Sequence, residues 1–567
     1  MLDGDTSSET SFGRARRWIQ ECEDQHQQCG TGRHVALPKR LIDLEPLDPC
    51  NLDSSGVRLS TTEGMIGTYV CLSHCWGKAP MPVRTTSQTL STYTNLIPWT
   101  QLPRTFQDAI LITHRLGLRY LWIDSICIIQ DSDDDWQIES GKMSSIYRDS
   151  FLTIAAVSSP DFTGGCFSRG EAADLCLRVK IKERPDILMG VRDGSAAARE
   201  PGERYGAFQP LQTRAWCYQE RILSRRVLHC TYGELSLECR TRRRCECGNS
   251  LSSDLAPHVT FRPGITLSTK KDYSRKGTLP SDGLYAYWQR IVMDYTQLQL
   301  SYGTDKLPAL SGCAKDFARH LPGDTYLAGL WRNNFAEGLL WLVKKPTKQR
   351  RPPFRAPSWS WASVDTSAGV SYNQQRLSSV DRSAFRDRIE TVECIPAGKD
   401  TTGAVASGAL RIRSRLCPTY LRLFCVKCRN PTAIYNLDMT AAGCSCTFSV
   451  RRLDRGGVAT VGFHRDFKFQ GQEDFDFSIG TRKAGACMLA PIFLLHLYDT
   501  QSPSAATIKD SVTDYFLVLR RLATVADDTY ERVALVLMTF PNFEERNTWF
   551  RDVYLVETDG EKLVCIL

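Results

Sequence analysis

Residues 119–131, RYLWIDSICIIQD, constrain the fold more than any other stretch of the chain. From Tyr120 to Ile129 both alternating faces are apolar, interrupted only by Asp124 and Ser125. A strand that is apolar on both faces must be covered on both sides, which predicts a central strand of a parallel sheet held between helix layers. A carboxylate leaving such a strand is costly unless it is paired or sits at the strand's carboxyl end, where open α/β sheets bind ligands. An Asp that stabilises the next turn fits Asp124 equally well, so both readings stand.

The flanking sequence alternates as a doubly wound sheet requires. Residues 68–74 (TYVCLSH) read as a strand. Thr105 with Asp108 gives a capping-box-like helix start, followed by Phe106, Ala109, Ile110, Thr113 and Leu116 at helical spacing and by Gly117 as a stop. Ser132 and three aspartates open a second helix through Ser150, with Trp136, Met143, Ile146 and Tyr147 as its apolar face. Residues 151–157 form a third strand, and after a Gly-, Arg- and Pro-rich insertion at about 159–213 a helix over 213–224 leads into strands 226–230 and 235–239. The pattern predicts about five strands in one mostly parallel sheet, with 119–124 interior.

Four segments follow: an N-terminal helical and loop segment over 1–60, an α/β domain over 61–250, a helical extension over 251–365, and a β-rich domain over 366–567. The extension is aromatic-rich, with Trp288, Tyr295, Trp331, Trp341, Trp359 and Trp361. Its Pro357-Ser-Trp-Ser-Trp-Ala run is too apolar for a free loop and should pack against the sheet domain. The last segment shows short alternating strands and a hairpin signal at Asp559-Gly560.

The +8 formal charge comes from 71 basic against 63 acidic residues spread along the chain, too small an excess to point to nucleic acid. The densest basic run, 344–355, is broken by prolines and reads as an exposed loop. The polar, acidic start MLDGDTSSET is unlike a signal peptide, and the longest apolar run, 486–498, contains Pro491 and His496 and is too short to span a bilayer. Together with 22 scattered cysteines this suggests a reduced, soluble, cytoplasmic protein whose thiols are mostly free and buried. Cys22, His26 and Cys29 fall at i, i+4 and i+7 and share one helix face. They are either three metal ligands or a packing face; with only Cys50 as a candidate fourth, packing is expected. Cys425-x-x-Cys428 with Cys444-x-Cys446 is explained as well by strand alternation as by a four-thiolate zinc site, so no metal is assigned. The absence of G-x-G-x-x-G, a P-loop, H-E-x-x-H and G-x-S-x-G disfavours a dehydrogenase, an NTPase, a zinc protease or a serine hydrolase.

Residues 69–77 (YVCLSHCWG), 102–110 (LPRTFQDAI) and 118–128 (LRYLWIDSICI) resemble, in order, the blocks of the fungal heterokaryon incompatibility (HET) domain. Residues 214–228 (RAWCYQERILSRRVL) resemble its second block, and 307–312 (LPALSG), 328–331 (AGLW) and 356–361 (APSWSW) the segment that often follows. Cys217 departs from the aliphatic or threonine-like residue usual there. The resemblance implies an effector of fungal non-self recognition and programmed cell death, with self-association and a protein partner in an incompatibility pathway.

A more distant resemblance is to Toll/interleukin-1 receptor (TIR) domains, carried by the strand ending Leu-Ser-His74 and by Trp216-x-x-x-Glu220. It implies a TIR/flavodoxin-like, doubly wound α/β fold. Some TIR domains hydrolyse NAD with a glutamate four residues after a tryptophan. The likeness therefore implies Glu220 as the catalytic residue, Ser73, His74, Asp124 and Trp216 at the substrate, NAD as substrate, and no cofactor. Against it stand plainer readings: Glu220 as a solvated helix residue paired with Arg221, Arg225 or Arg226, His74 and Trp216 as packing residues, and the domain as a non-catalytic module acting by protein–protein contact.

Overall fold

The computed structural model describes residues 5–168, 176–180, 188–192, 209–232, 234–246, 258–262, 265–268, 270–344, 353–372, 388–421, 460–465, 483–484, 487–488, 490–496, 512–522, 529–540 and 562–567. Two compact units result, Met1–Leu284 with Leu298–Ser301 and Ala309–Asp316, and Tyr285–Gln297 with Tyr302–Pro308 and Phe317–Leu567.

The first unit is built on a nine-stranded sheet. In chain order its strands are β1 (Arg40–Asp43), β2 (Gly56–Thr61), β3 (Tyr69–Ser73), β4 (Ile97–Pro98), β5 (Tyr120–Trp122), β6 (Leu152–Ala155), β7 (Arg226–Thr231), β8 (Glu234–Cys239) and β9 (Arg243–Cys245). Their spatial order is β9-β8-β7-β6-β3-β5-β1-β2-β4. The neighbours β7, β6, β3 and β5 run parallel, and the remaining pairings, through β8 and β9 on one side and β1, β2 and β4 on the other, are antiparallel. The sheet is therefore mixed, and β8 is the return arm of a hairpin rather than a further parallel strand. Both faces of β3 and β6 are buried, as their unbroken apolar sequence requires. β5 lies inside the sheet, between β3 and β1, as its sequence predicts.

That strand is shorter than its apolar run. After Trp122 the chain enters a helical turn, Asp124–Cys127, in which Asp124 Oδ1 accepts the Ser125 N–H at 2.8 Å. Ile126, Cys127 and Ile128 are buried by this turn instead of by strand pairing. The main helices are α1 (Glu9–Gln25), α2 (Arg104–Arg115), α3 (Asp133–Asp149) and α4 (Ala215–Leu223).

α2 begins after Pro103 without a side-chain cap, so Thr105 and Asp108 are not a capping pair. Both are buried and hold the segment following β6: the Thr105 hydroxyl donates to the Asp161 carbonyl at 3.3 Å, and Asp108 accepts the N–H groups of Cys166 and Phe167 at 2.8 and 3.1 Å. Gly165, at φ 80°, permits this approach, because a Cβ there would stand 2.6 Å from Asp108 Oδ2. Gly117, at φ 72°, follows the end of α2 as expected. In α3, Ser132 caps as predicted and Met143, Ile146 and Tyr147 are buried, but Trp136 is 41% exposed. Its place on the inner face is taken by Asp135, paired with Arg40 and Lys39, and by Glu139, paired with Lys142.

The second unit holds an eight-stranded, largely antiparallel sheet together with the aromatic-rich helices, matching the β-rich and helical character read from its sequence. Trp359 and Trp361 are fully buried. Trp359 meets Phe335 edge-on, Trp361 meets Tyr295, and the Ser358 N–H donates to the Leu567 carbonyl at 2.9 Å. Arg532 lies 3.4 Å over the Trp341 ring and donates to the carbonyls of Leu339 and Trp341. Cys425, Cys428, Cys444, Cys446 and the Asp559-Gly560 turn lie outside the described residues. Among the described residues no helix is long and apolar enough to cross a membrane.

Candidate functional site

The parallel register brings the candidate residues together. Cys71 pairs with Trp122 across β3 and β5, so Ser73 and Asp124, each two residues further on, leave the sheet side by side at its carboxyl edge. From β3 the chain crosses to β5 on one side, and from β5 it returns past β3 to β6 on the other. The connections thus diverge above the end of β3, the position at which open parallel sheets form a crevice. α4 delivers Glu220 to this point.

Glu220 is buried and is not a solvated partner of the neighbouring arginines. Arg221 pairs with Glu238, Arg225 lies 3.8 Å from Asp149, and Arg226 donates to the carbonyls of Gly30, Thr31 and Phe151. Glu220 instead accepts the Ser73 hydroxyl through Oε2 at 2.5 Å. Burial pushes its carboxyl up to about 7, the nearby Asp124 charge adds to the rise, and the Ser73 hydrogen bond and the Arg214 guanidinium oppose it. Half-ionised near neutrality, this carboxyl has the character of a proton carrier or of a charge poised to form.

The remaining expected residues divide. Asp124 is the better solvated carboxylate: Oδ2 accepts the Trp76 indole N–H at 2.8 Å, and Oδ1 lies 3.8 Å from His74 Nδ1. His74 is buried edge-on to Phe106 at 5.1 Å, and burial pulls its pKa down against the pull of Asp124, keeping the ring neutral. Its Nε2 has no hydrogen-bond partner among the described residues. Trp216 is half-buried against the main core.

Three residues to which the sequence reading gave no role in the site complete it. Arg214, at the start of α4, donates to the His74 carbonyl at 3.4 Å and places its charge near Glu220. Cys75 and Cys217 pack together in a small apolar cluster, and burial pushes both thiols up. The available signal for Arg214 was its place immediately before the helix carrying Glu220. Elsewhere in the unit, the partner of Cys22, His26 and Cys29 is Cys239, whereas Cys50, the candidate from sequence, is exposed.

Because the Asp124 charge raises Glu220, Asp124→Asn should lower the Glu220 titration midpoint toward the ordinary value of 4.5. Carboxyl carbon shifts followed by NMR against pH check this; an unchanged midpoint would show the two groups uncoupled.

Fold and site together define an α/β domain with a buried serine–glutamate pair at the carboxyl end of its parallel strands. Residues 69–220, from the first residue of β3 to Glu220 itself, match the model of the heterokaryon incompatibility protein (HET) family, so the chain carries a HET domain. No curated protein and no solved structure matches the chain.

Proposed function

We propose that the HET domain hydrolyses NAD at its nicotinamide–ribose bond and acts through that loss as a cell-death effector in non-self recognition. The observation that carries this reading is the Ser73–Glu220 pair, a buried carboxyl raised to about 7 at the carboxyl end of a parallel strand. The parallel strands, taken in chain order, stand second, first, third, fourth, the beginning of the flavodoxin-like order whose ligands sit at this switch point.

In the reaction the C1′–N bond breaks with its electron pair passing to the pyridinium nitrogen, and nicotinamide leaves neutral. Water then bonds to C1′ and gives up a proton, leaving ADP-ribose. The intervening ribosyl cation is oxocarbenium-like and is stabilised by one adjacent carboxylate, the role assigned to Glu220. The pyridinium charge of NAD favours the ionised form of Glu220 on binding. The Ser73 hydroxyl and His74 Nε2 are the polar atoms offered to the ribose hydroxyls. Ser73, His74 and Glu220 are all less than a tenth exposed, and this reading assigns to self-association the step that admits NAD.

Nicotinamide release from NAD by the purified, self-associated protein tests the proposal. Glu220→Gln keeps shape and hydrogen bonding but removes the charge, and should reduce the rate by about a few hundredfold. A self-associated, toxic wild type that releases no nicotinamide refutes the proposal and leaves a module acting by protein contact.

A further inference from the structure

We propose that Cys22, His26, Cys29 and Cys239 form a closed zinc site that fastens the N-terminal helix to the β7–β8 hairpin. The four donor atoms all lie within 4.8 Å of one another. Around a single zinc, donors at the usual bond lengths stand about 3.5–3.8 Å apart, and His26 Nδ1 is already 3.4 Å from Cys239 Sγ.

Local structure aims each donor at the same point. Cys22 is on the last turn of α1, and His26 is the residue that ends the helix, its N–H bonded to the Cys22 carbonyl. A single 3₁₀ turn, Gln27–Cys29, then brings Cys29 to the same side. Gly30, at φ 61°, turns the chain away beneath the Arg225 guanidinium, which donates to the Cys29 carbonyl at 3.1 Å. Cys239 arrives from the end of β8, where the chain reverses into β9.

The surroundings suit thiolates rather than apolar packing. Cys239 Sγ accepts the N–H groups of Thr241 and Arg242 at 3.4 and 3.3 Å. Cys22 Sγ accepts the Arg226 Nε–H at 3.2 Å, and Cys29 Sγ lies 3.7 Å from the Thr241 hydroxyl. Three thiolates and a neutral imidazole leave one net negative charge around a zinc ion, which the buried Arg226 offsets. Such outer contacts orient and stabilise metal ligands. Cys22, Cys29 and Cys239 are buried to 3% exposure or less. With all four positions filled by protein, the site has no open position for catalysis and is structural.

The full chain, purified without a histidine tag, should carry about one zinc by elemental analysis. Cys22→Ser and Cys239→Ser should lose the metal, and Cys50→Ser should keep it. A serine variant that fails to fold is uninformative alone, so cobalt(II) exchanged into the wild type gives the second reading. Intense visible bands of a tetrahedral ion with sulfur-to-cobalt charge transfer are expected, and His26→Cys should retain the ion with a four-thiolate spectrum. A wild type that stays metal-free when prepared with zinc, a disulfide among these cysteines by mass, or an octahedral cobalt spectrum overturns the proposal.

Discussion

Glu238→Gln should cost about 3–5 kcal/mol of folding stability, because it leaves buried positive charge without its counterion. Glu238 accepts two parallel bonds from Arg221, at 2.9 and 2.7 Å, and lies 3.0 Å from His229 Nε2. All three side chains are 4% exposed or less. Burial alone would raise this carboxyl, but Arg221 and His229 hold it well below the ordinary range. The stability it contributes is therefore present above its ordinary value of 4.5 and lost as the pH falls through its lower folded value. Urea unfolding at pH 7 measures the loss. Arg221→Met combined with Glu238→Met should recover much of it, since an apolar pair has no stranded charge. A single substitution costing under about 1 kcal/mol would show the pair to be solvated like a surface ion pair.

Glu220→Gln should have the opposite effect on stability. The folded pKa of Glu220, about 7, lies above its ordinary 4.5, so the folded state binds the proton more tightly than the unfolded one. The stability this confers is fully present below 4.5 and is lost as the pH rises through 7. A 2.5-unit rise corresponds to about 3 kcal/mol. Glutamine does not titrate, so the difference in stability between variant and wild type should shift by about 3 kcal/mol in the variant's favour between pH 4 and pH 8. Parallel unfolding curves at the two values check this; a constant difference would mean that Glu220 ionises freely. Under the proposed function the same substitution reduces activity by about a few hundredfold. The protein would then be holding a destabilising charge where chemistry requires it.

The sequence revealed those features whose cause is local. β3 and β6 were recognisable because both their faces are buried, and the end of α2 because Gly117 takes a left-handed conformation. The convergence of Ser73, Asp124 and Glu220 followed from the alternation, since parallel strands present their carboxyl ends at one edge. What escaped was set by distant partners. Thr105 and Asp108 have the spacing of a helix cap, yet the loop around Gly165 recruits both. Apolarity placed Trp136 inside, but Arg40 and Lys39 come from β1 and its approach to neutralise Asp135 on that face. Nothing near Cys22 points to Cys239, because the hairpin that carries it is remote in sequence.

That remoteness governs the order of assembly during synthesis. His26 and Cys239 are 213 residues apart, and α1 packs on β8. At about 5–20 residues per second, the helix waits roughly 10–40 s for the strand that covers it. Phe12 can meet Phe167 and Arg115 sooner, but the side of α1 that packs on β8 has no native cover throughout that interval. A slower rate of synthesis between α1 and β8 therefore lengthens the time for which that side of the helix stays uncovered.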